Sequence, residues 1–161
     1  MINSDQLRLE IIRPTLMYLD SVIPYSAAAE NLLMGTCAQE SRMCTYIKQL
    51  GNGPACGPYQ MEPNTSNDIV TNYLNFREQM HELVDTLGAC PIGLKKEYAD
   101  LIGNLYYATA MARVHYYRVP EPIPLSDDIQ GLALYWKKYY NTYEGKGTTT
   151  EFVHNYKKYV V

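Results

Sequence analysis

Residues 51–65, GNGPACGPYQMEPNT, place three glycines and three prolines in fifteen positions, while the stretches on either side read as helices. Glycine opens backbone conformations closed to other residues, and proline holds φ at about −65°. Such a segment forms a loop of fixed shape. It also divides the chain into a short N-terminal helical pair and a longer C-terminal helical series.

The helices follow from caps and periodicity. Asn3 or Ser4 starts a first helix to about Asp20, with a kink expected at Pro14. Ser26 caps a second, AAAENLLMGTCAQES, to about residue 42. Asn64 or Thr65 is expected to cap a third. In FREQMHELVDTLG, Phe76, Met80, Leu83, Val84 and Leu87 fall at helical spacing, with Gly88 as the stop. Residues 95–117 read as one long helix closed by VPEPIP. Asp127 or Asp128 caps IQGLALYWKKYY, and Thr148 with Glu151 predicts a capping box for the last helix. CTYIKQLGNG has enough β character for a hairpin near residues 44–60. The predicted class is mainly α, in one domain over residues 1–161.

A chain of 161 residues can bury a core and still form a cleft. Its 47% hydrophobic and 19% charged residues exclude a disordered chain. A net charge of −3, with basic residues scattered and adjacent only in short pairs such as Lys95-Lys96, argues against nucleic acid as a partner. No stretch reaches the roughly 18–20 apolar residues of a membrane span. The start, MINSDQLRLEIIRP, lacks the basic-then-apolar pattern of a secretion leader, so synthesis in a cytoplasm is expected. Cys37, Cys44, Cys56 and Cys90 lack zinc-site spacing and are expected as free thiols. Sixteen tyrosines against one Trp and two Phe supply flat apolar faces with hydroxyls, suited to packing helices and to stacking under sugar rings.

On the second helix Ala29, Leu33, Thr36 or Cys37, and Glu40 share a face, so Glu40 continues an inward stripe. Desolvation and the negative helix end both disfavour its anion and raise its pKa. A general acid working near neutrality needs that property.

Glu40-Ser41, then a Gly-rich loop, then Gly57-Pro58-Tyr59-Gln60-Met61-Glu62-Pro63-Asn64-Thr65 resembles the soluble lytic transglycosylase and goose-type lysozyme families. Those families carry a Glu-Ser at a helix end, a Gly-x-x-Gln loop and a Pro-x-Thr helix start. Tyr59 stands where they usually have Met. Tyr140-Asn141 matches a late Tyr-Asn pair of theirs, without its usual Ala-Gly ending. The resemblance covers residues 26–75 well and 127–160 loosely. It implies a lysozyme-like fold, Glu40 as the catalytic acid/base, and a substrate cleft lined by Tyr59, Gln60, Tyr140 and Asn141. It implies further that Ser41 helps hold Glu40 and that Gly57 lets the loop backbone approach a sugar.

The implied reaction is cleavage of the β-1,4 bond between MurNAc and GlcNAc in bacterial peptidoglycan, with no metal or organic cofactor. Most glycosidases use a carboxylate pair roughly 5–9.5 Å apart. Glu62 and Asp68 are the candidates for a second carboxylate, although Glu62 falls where the related families vary and Asp68 suits a helix first turn. A lone Glu40 implies a lytic transglycosylase, with closure of a 1,6-anhydro ring by the substrate's own 6-hydroxyl. A second carboxylate positioning water implies a muramidase and an ordinary reducing sugar. With the missing leader, the resemblance implies a phage protein: a lysin released at lysis, or a virion component with other virion proteins as partners.

Other chemistries compete. His81-Glu82 begins a zinc-protease pattern, but Asp85 occupies the second histidine's place. His115 and His154 stand alone on helices. A Cys–His amidase or peptidase would use Cys37 or Cys56, with no histidine motif near either. A non-catalytic structural or wall-binding protein keeping a lysozyme-like shell is the alternative from another class.

Overall fold

Asn3 accepts a hydrogen bond from the Gln6 N–H (3.1 Å) and starts α1, residues 4–18. The computed structural model describes residues 1–88, 96–142 and 145–161. Pro14 has no N–H to give a regular helix. The chain widens ahead of it into a π-helical stretch, Leu7–Ile12, in which the Arg13 N–H reaches the Arg8 carbonyl five residues back. The irregularity expected at Pro14 thus takes the form of a widened turn.

The second helix, α2 (Ala27–Ser41), begins where Ser26 Oγ accepts the Ala29 N–H (3.1 Å). Its middle is buried on every side: Leu32, Leu33, Met34, Cys37 and Ala38 are each at most 1% exposed. A helix apolar all round needs neighbours all round. These are α1, α6 (Leu105–Tyr117), α7 (Ile129–Trp136) and α8 (Thr149–Tyr159). Gly35 permits the closest approach, because a Cβ there would run into the Phe152 ring.

Between these lie α3 (Pro63–Asn72), a 3-10 turn at Leu74–Phe76, α4 (Glu78–Leu87) and α5 (Lys96–Gly103). Several boundaries differ from expectation. Glu62, rather than Asn64 or Thr65, precedes α3, because Pro63 takes the first helical position where its missing N–H costs nothing. Gly88 ends α4 in an extended conformation (φ −79°), not a left-handed one. The long helix expected over 95–117 breaks at Asn104, which turns extended and accepts the Tyr107 N–H (3.0 Å). Asn104 also donates to the Leu87 carbonyl (2.6 Å), tying the break to the end of α4. Asp128 and the Thr148–Glu151 capping box start α7 and α8 as read.

Helix accounts for 64% of the structure. Among the described residues no strand forms, and the hairpin expected near 44–60 is reduced to two isolated bridges, Lys48 with Cys56 and Cys56 with Met61. No helix among them is long and apolar enough to cross a membrane. Two apolar clusters share α6. Ala108, Ala112 and Tyr116 face Leu33, Trp136 and Phe152, while Tyr107, Met111 and Val114 face Ile69, Leu74 and Val84.

One buried ionic knot fastens α1 to α2. Glu30, 2% exposed, accepts from Arg8 Nη1 (2.7 Å), from Arg13 Nε and Nη2 (both 2.9 Å) and from the Tyr25 hydroxyl (3.1 Å). Burial alone would raise this carboxyl's pKa; the bonds from Arg13, Arg8 and Tyr25 outweigh it and hold it below the usual range. A depressed carboxyl contributes stability above its unfolded pKa and loses it as pH falls through the folded one. Glu30→Ala takes the shared acceptor from the half-exposed Arg13 and from Arg8, which keeps Asn31 Oδ1 (2.7 Å), and is expected to cost about 2 kcal/mol. Urea unfolding at pH 7 checks this, and the difference from wild type should shrink on acidification.

Candidate active-site cleft

The end of α2, the 46–62 loop, the start of α3, the end of α6 and the turn after α7 enclose a cleft of about 980 Å³. Of the residues singled out in the sequence, Glu40, Gln60, Tyr140 and Asn141 line it together. Glu62 and Asp68 line it as well.

Glu40 sits in the last turn of α2. Its Oε1 accepts the indole N–H of Trp136 at 2.8 Å, from α7. Trp136 itself is fully buried against Phe152, with ring centroids 5.3 Å apart. Desolvation pushes the Glu40 carboxyl up to about 7, and the Trp136 bond, which favours the anion, pulls only partly against it. A carboxyl with that midpoint is half protonated at neutrality, able both to give and to take a proton.

Beyond Ser41 the helix stops abruptly. Arg42, Met43 and Cys44 all take left-handed backbone (φ 51°, 54° and 58°). For non-glycine residues this costs on the order of 1 kcal/mol each and persists only where other contacts impose it. Ser41 supplies some of them. Its buried hydroxyl donates to the Cys37 carbonyl (3.1 Å) and accepts the Cys44 N–H (2.9 Å). Ser41 therefore fixes the turn behind Glu40 and does not line the cleft.

The loop opposite is a tight reversal. Cys56 and Met61 exchange two backbone hydrogen bonds, each 3.0 Å. Gly57 (φ 74°) is needed there because a Cβ would strike the Leu101 carbonyl of α5. The close approach expected between Gly57 and a sugar is thus an approach to α5. Gln60 also has positive φ (46°), and its Nε2 donates to the Gly57 carbonyl (2.9 Å), so the side chain braces its own loop at the cleft edge.

Tyr59 differs from expectation. It is 1% exposed, and its hydroxyl pairs with Thr109 Oγ1 (3.0 Å) inside the core. A phenol that finds a buried hydrogen-bond partner packs inward. Only its backbone carbonyl serves the site, accepting the Tyr140 hydroxyl at 2.9 Å. Tyr140 thereby joins the wall after α7 to the loop. Asn141 accepts from Lys137 Nζ (2.8 Å), which also holds the Gly145 carbonyl (2.7 Å) and closes the π-helical turn Lys137–Asn141.

Sequence reading missed Trp136 and the bonds that link Asp68, Arg118 and His115 along the cleft. Arg118 Nη1 pairs with Asp68 (2.6 Å), and its Nη2 donates to His115 Nδ1 (3.0 Å). With Nδ1 accepting, His115 Nε2 carries the proton and donates to the Tyr139 carbonyl (3.1 Å). Burial, then the Arg118 charge, push His115 down to about 4, so it is neutral in use. Asn72 and Arg118 hold the Asp68 carboxyl below its usual range. The only local signal was His115-x-x-Arg118 at one-turn spacing; Trp136 lies 96 residues from Glu40 and leaves none.

The remaining motifs lie elsewhere. Cys37 contacts Ser41 and Cys44, and Cys56 contacts Pro54 and Lys48, with no histidine in either set. Cys90 falls outside the described residues. His81 lies on α4 at a separate, smaller pocket, and His154 is exposed on α8. No group of three or more metal-ligating side chains occurs among the described residues.

No family model, curated protein or solved structure matches this chain.

An acid whose folded pKa is raised lends its stability below the unfolded value, and that stability is lost as pH rises through the folded one. The span from 4.5 to about 7 corresponds to on the order of 3 kcal/mol. Glu40→Gln, which can still accept from Trp136, should therefore stabilise the fold by roughly that amount at pH 8 and by nothing measurable at pH 4. Thermal or urea unfolding at the two pH values reads the difference.

Proposed function

We propose that this protein cleaves the glycan strand of bacterial peptidoglycan, with Glu40 as its single acid/base. The observation that carries the reading is the Glu40 carboxyl, desolvated, hydrogen-bonded to Trp136 and facing a cleft of about 980 Å³. Tyr46, Tyr139 and Tyr140 line that cleft together with Gln60 and Asn141, aromatic and amide side chains of the kinds that engage sugar rings.

In the proposed reaction Glu40 gives its proton to the glycosidic oxygen between MurNAc and GlcNAc as the C1–O4 bond breaks. The positive charge develops at C1 and the ring oxygen. The resulting Glu40 carboxylate then takes the proton of the MurNAc 6-hydroxyl, whose oxygen attacks C1 and closes a 1,6-anhydro ring. Desolvation favours the neutral acid at the start, and the Trp136 N–H supports the anion once the proton has left. The single-carboxylate route needs no second carboxylate; of the two candidates that line the cleft, Glu62 and Asp68, Asp68 is already bonded to Arg118 and Asn72. A phage lysin or a wall-degrading virion component fits this activity.

Purified sacculi digested with wild type and Glu40→Gln, with the products read by mass spectrometry, test the reading. Anhydro-muropeptides from wild type, with a loss of at least about 10²-fold in Glu40→Gln, are expected. Reducing-end products would move the mechanism to hydrolysis and the search for a second carboxylate to Glu62. Folded wild type that binds sacculi without cutting them would replace the enzyme with a wall-binding protein.

A further inference from the structure

Two of the cysteines, three residues before Glu40 and four after it, lie together. Cys37, fully buried in α2, has its sulfur 3.8 Å from that of Cys44, which is partly exposed. The left-handed run Arg42–Met43–Cys44 folds the chain back over the last turn of α2 and brings position 44 to position 37. The backbone fixes this juxtaposition. Met43 N–H bonds the Cys37 carbonyl (3.2 Å), Cys44 N–H bonds Ser41 Oγ (2.9 Å), and Ile2 N–H bonds the Met43 carbonyl (2.8 Å).

We propose that Cys37 and Cys44 form a thiol–disulfide site, oxidised by a small-molecule disulfide to an intrachain bridge that locks the turn carrying Glu40. Cys44 is the attacking sulfur, because it reaches solvent while Cys37 does not. Hydrogen bonding from the Cys37 thiol holds Cys44 below the usual thiol range, and Cys37 keeps its proton.

The exchange balances in two steps. Cys44 thiolate attacks one sulfur of the incoming disulfide, forming a mixed disulfide and expelling one small thiolate. Cys37 then releases its proton and attacks Cys44 Sγ, expelling the second. Two protein thiols are oxidised and one small disulfide is reduced to two thiols. The bridge ties the Glu40 end of α2 to the segment carrying Tyr46 and Gln49 into the cleft. A reducing compartment leaves the pair open and an oxidising one closes it. The site stands on the sulfur geometry and is independent of the substrate assigned to the cleft.

Incubation with oxidised glutathione at pH 8, quenched by alkylation and read by intact mass and peptide mapping, tests this on the full chain. Wild type is expected to become two hydrogen masses lighter, with a mapped Cys37–Cys44 cross-link and a Tm higher by roughly 5 °C. Cys37→Ser should stop at a glutathione adduct on Cys44. Wild type that keeps all four thiols, accumulates the Cys44 adduct as its end product, or cross-links through Cys56 or Cys90 would overturn the proposal.

Discussion

A carboxyl group at the end of a buried helix is the constraint around which the cleft is built. Glu40 continues the apolar face of α2, so folding takes its carboxyl out of bulk water. A desolvated acid needs a donor or a proton. This one has both: the Trp136 N–H at 2.8 Å, and a pKa near neutrality. The donor exists only because α7 and α8 pack on α2 closely enough to bury Trp136 against Phe152, which in turn requires the absence of a side chain at Gly35. Packing of the helical core and chemistry of the cleft are here one arrangement.

The rest of the cleft depends on forced backbone. Three left-handed residues end α2, and Gly57 and Gln60 reverse the opposite loop with positive φ. Such positions persist where neighbours over-determine them. Ser41 does so on one side, and the Cys56–Met61 pair with the Tyr140 to Tyr59 bond does so on the other. Rigid walls suit the acid/base role proposed for Glu40, because reacting groups must hold position to about 0.5 Å. The left-handed turn also brings Cys44 onto Cys37, the one place among the described residues where two thiols meet.

What the sequence revealed divides by range. Ser26, Asp128 and the Thr148–Glu151 box were legible because a cap acts over three residues. Glu40 was legible because its helical face and its Glu-Ser neighbour are local. The break at Asn104 was not, since part of what holds it is a bond to the Leu87 carbonyl, seventeen residues earlier. Tyr59 reads as a cleft residue from its loop, yet Thr109, fifty residues on, draws its hydroxyl into the core. Trp136 is the strongest case. Its role is written nowhere near Glu40 and comes only from how α7 lies on α2.

The most direct test of Glu40 as a neutral-pH acid is a ¹³C NMR titration of its side-chain carboxyl, assigned with Glu40→Gln. A midpoint near 7 is the predicted result, rising further in Trp136→Phe, where the donor that favours the anion is gone. A midpoint at the ordinary 4.5 would contradict it, because such a group would be an anion in the cleft with no proton to give.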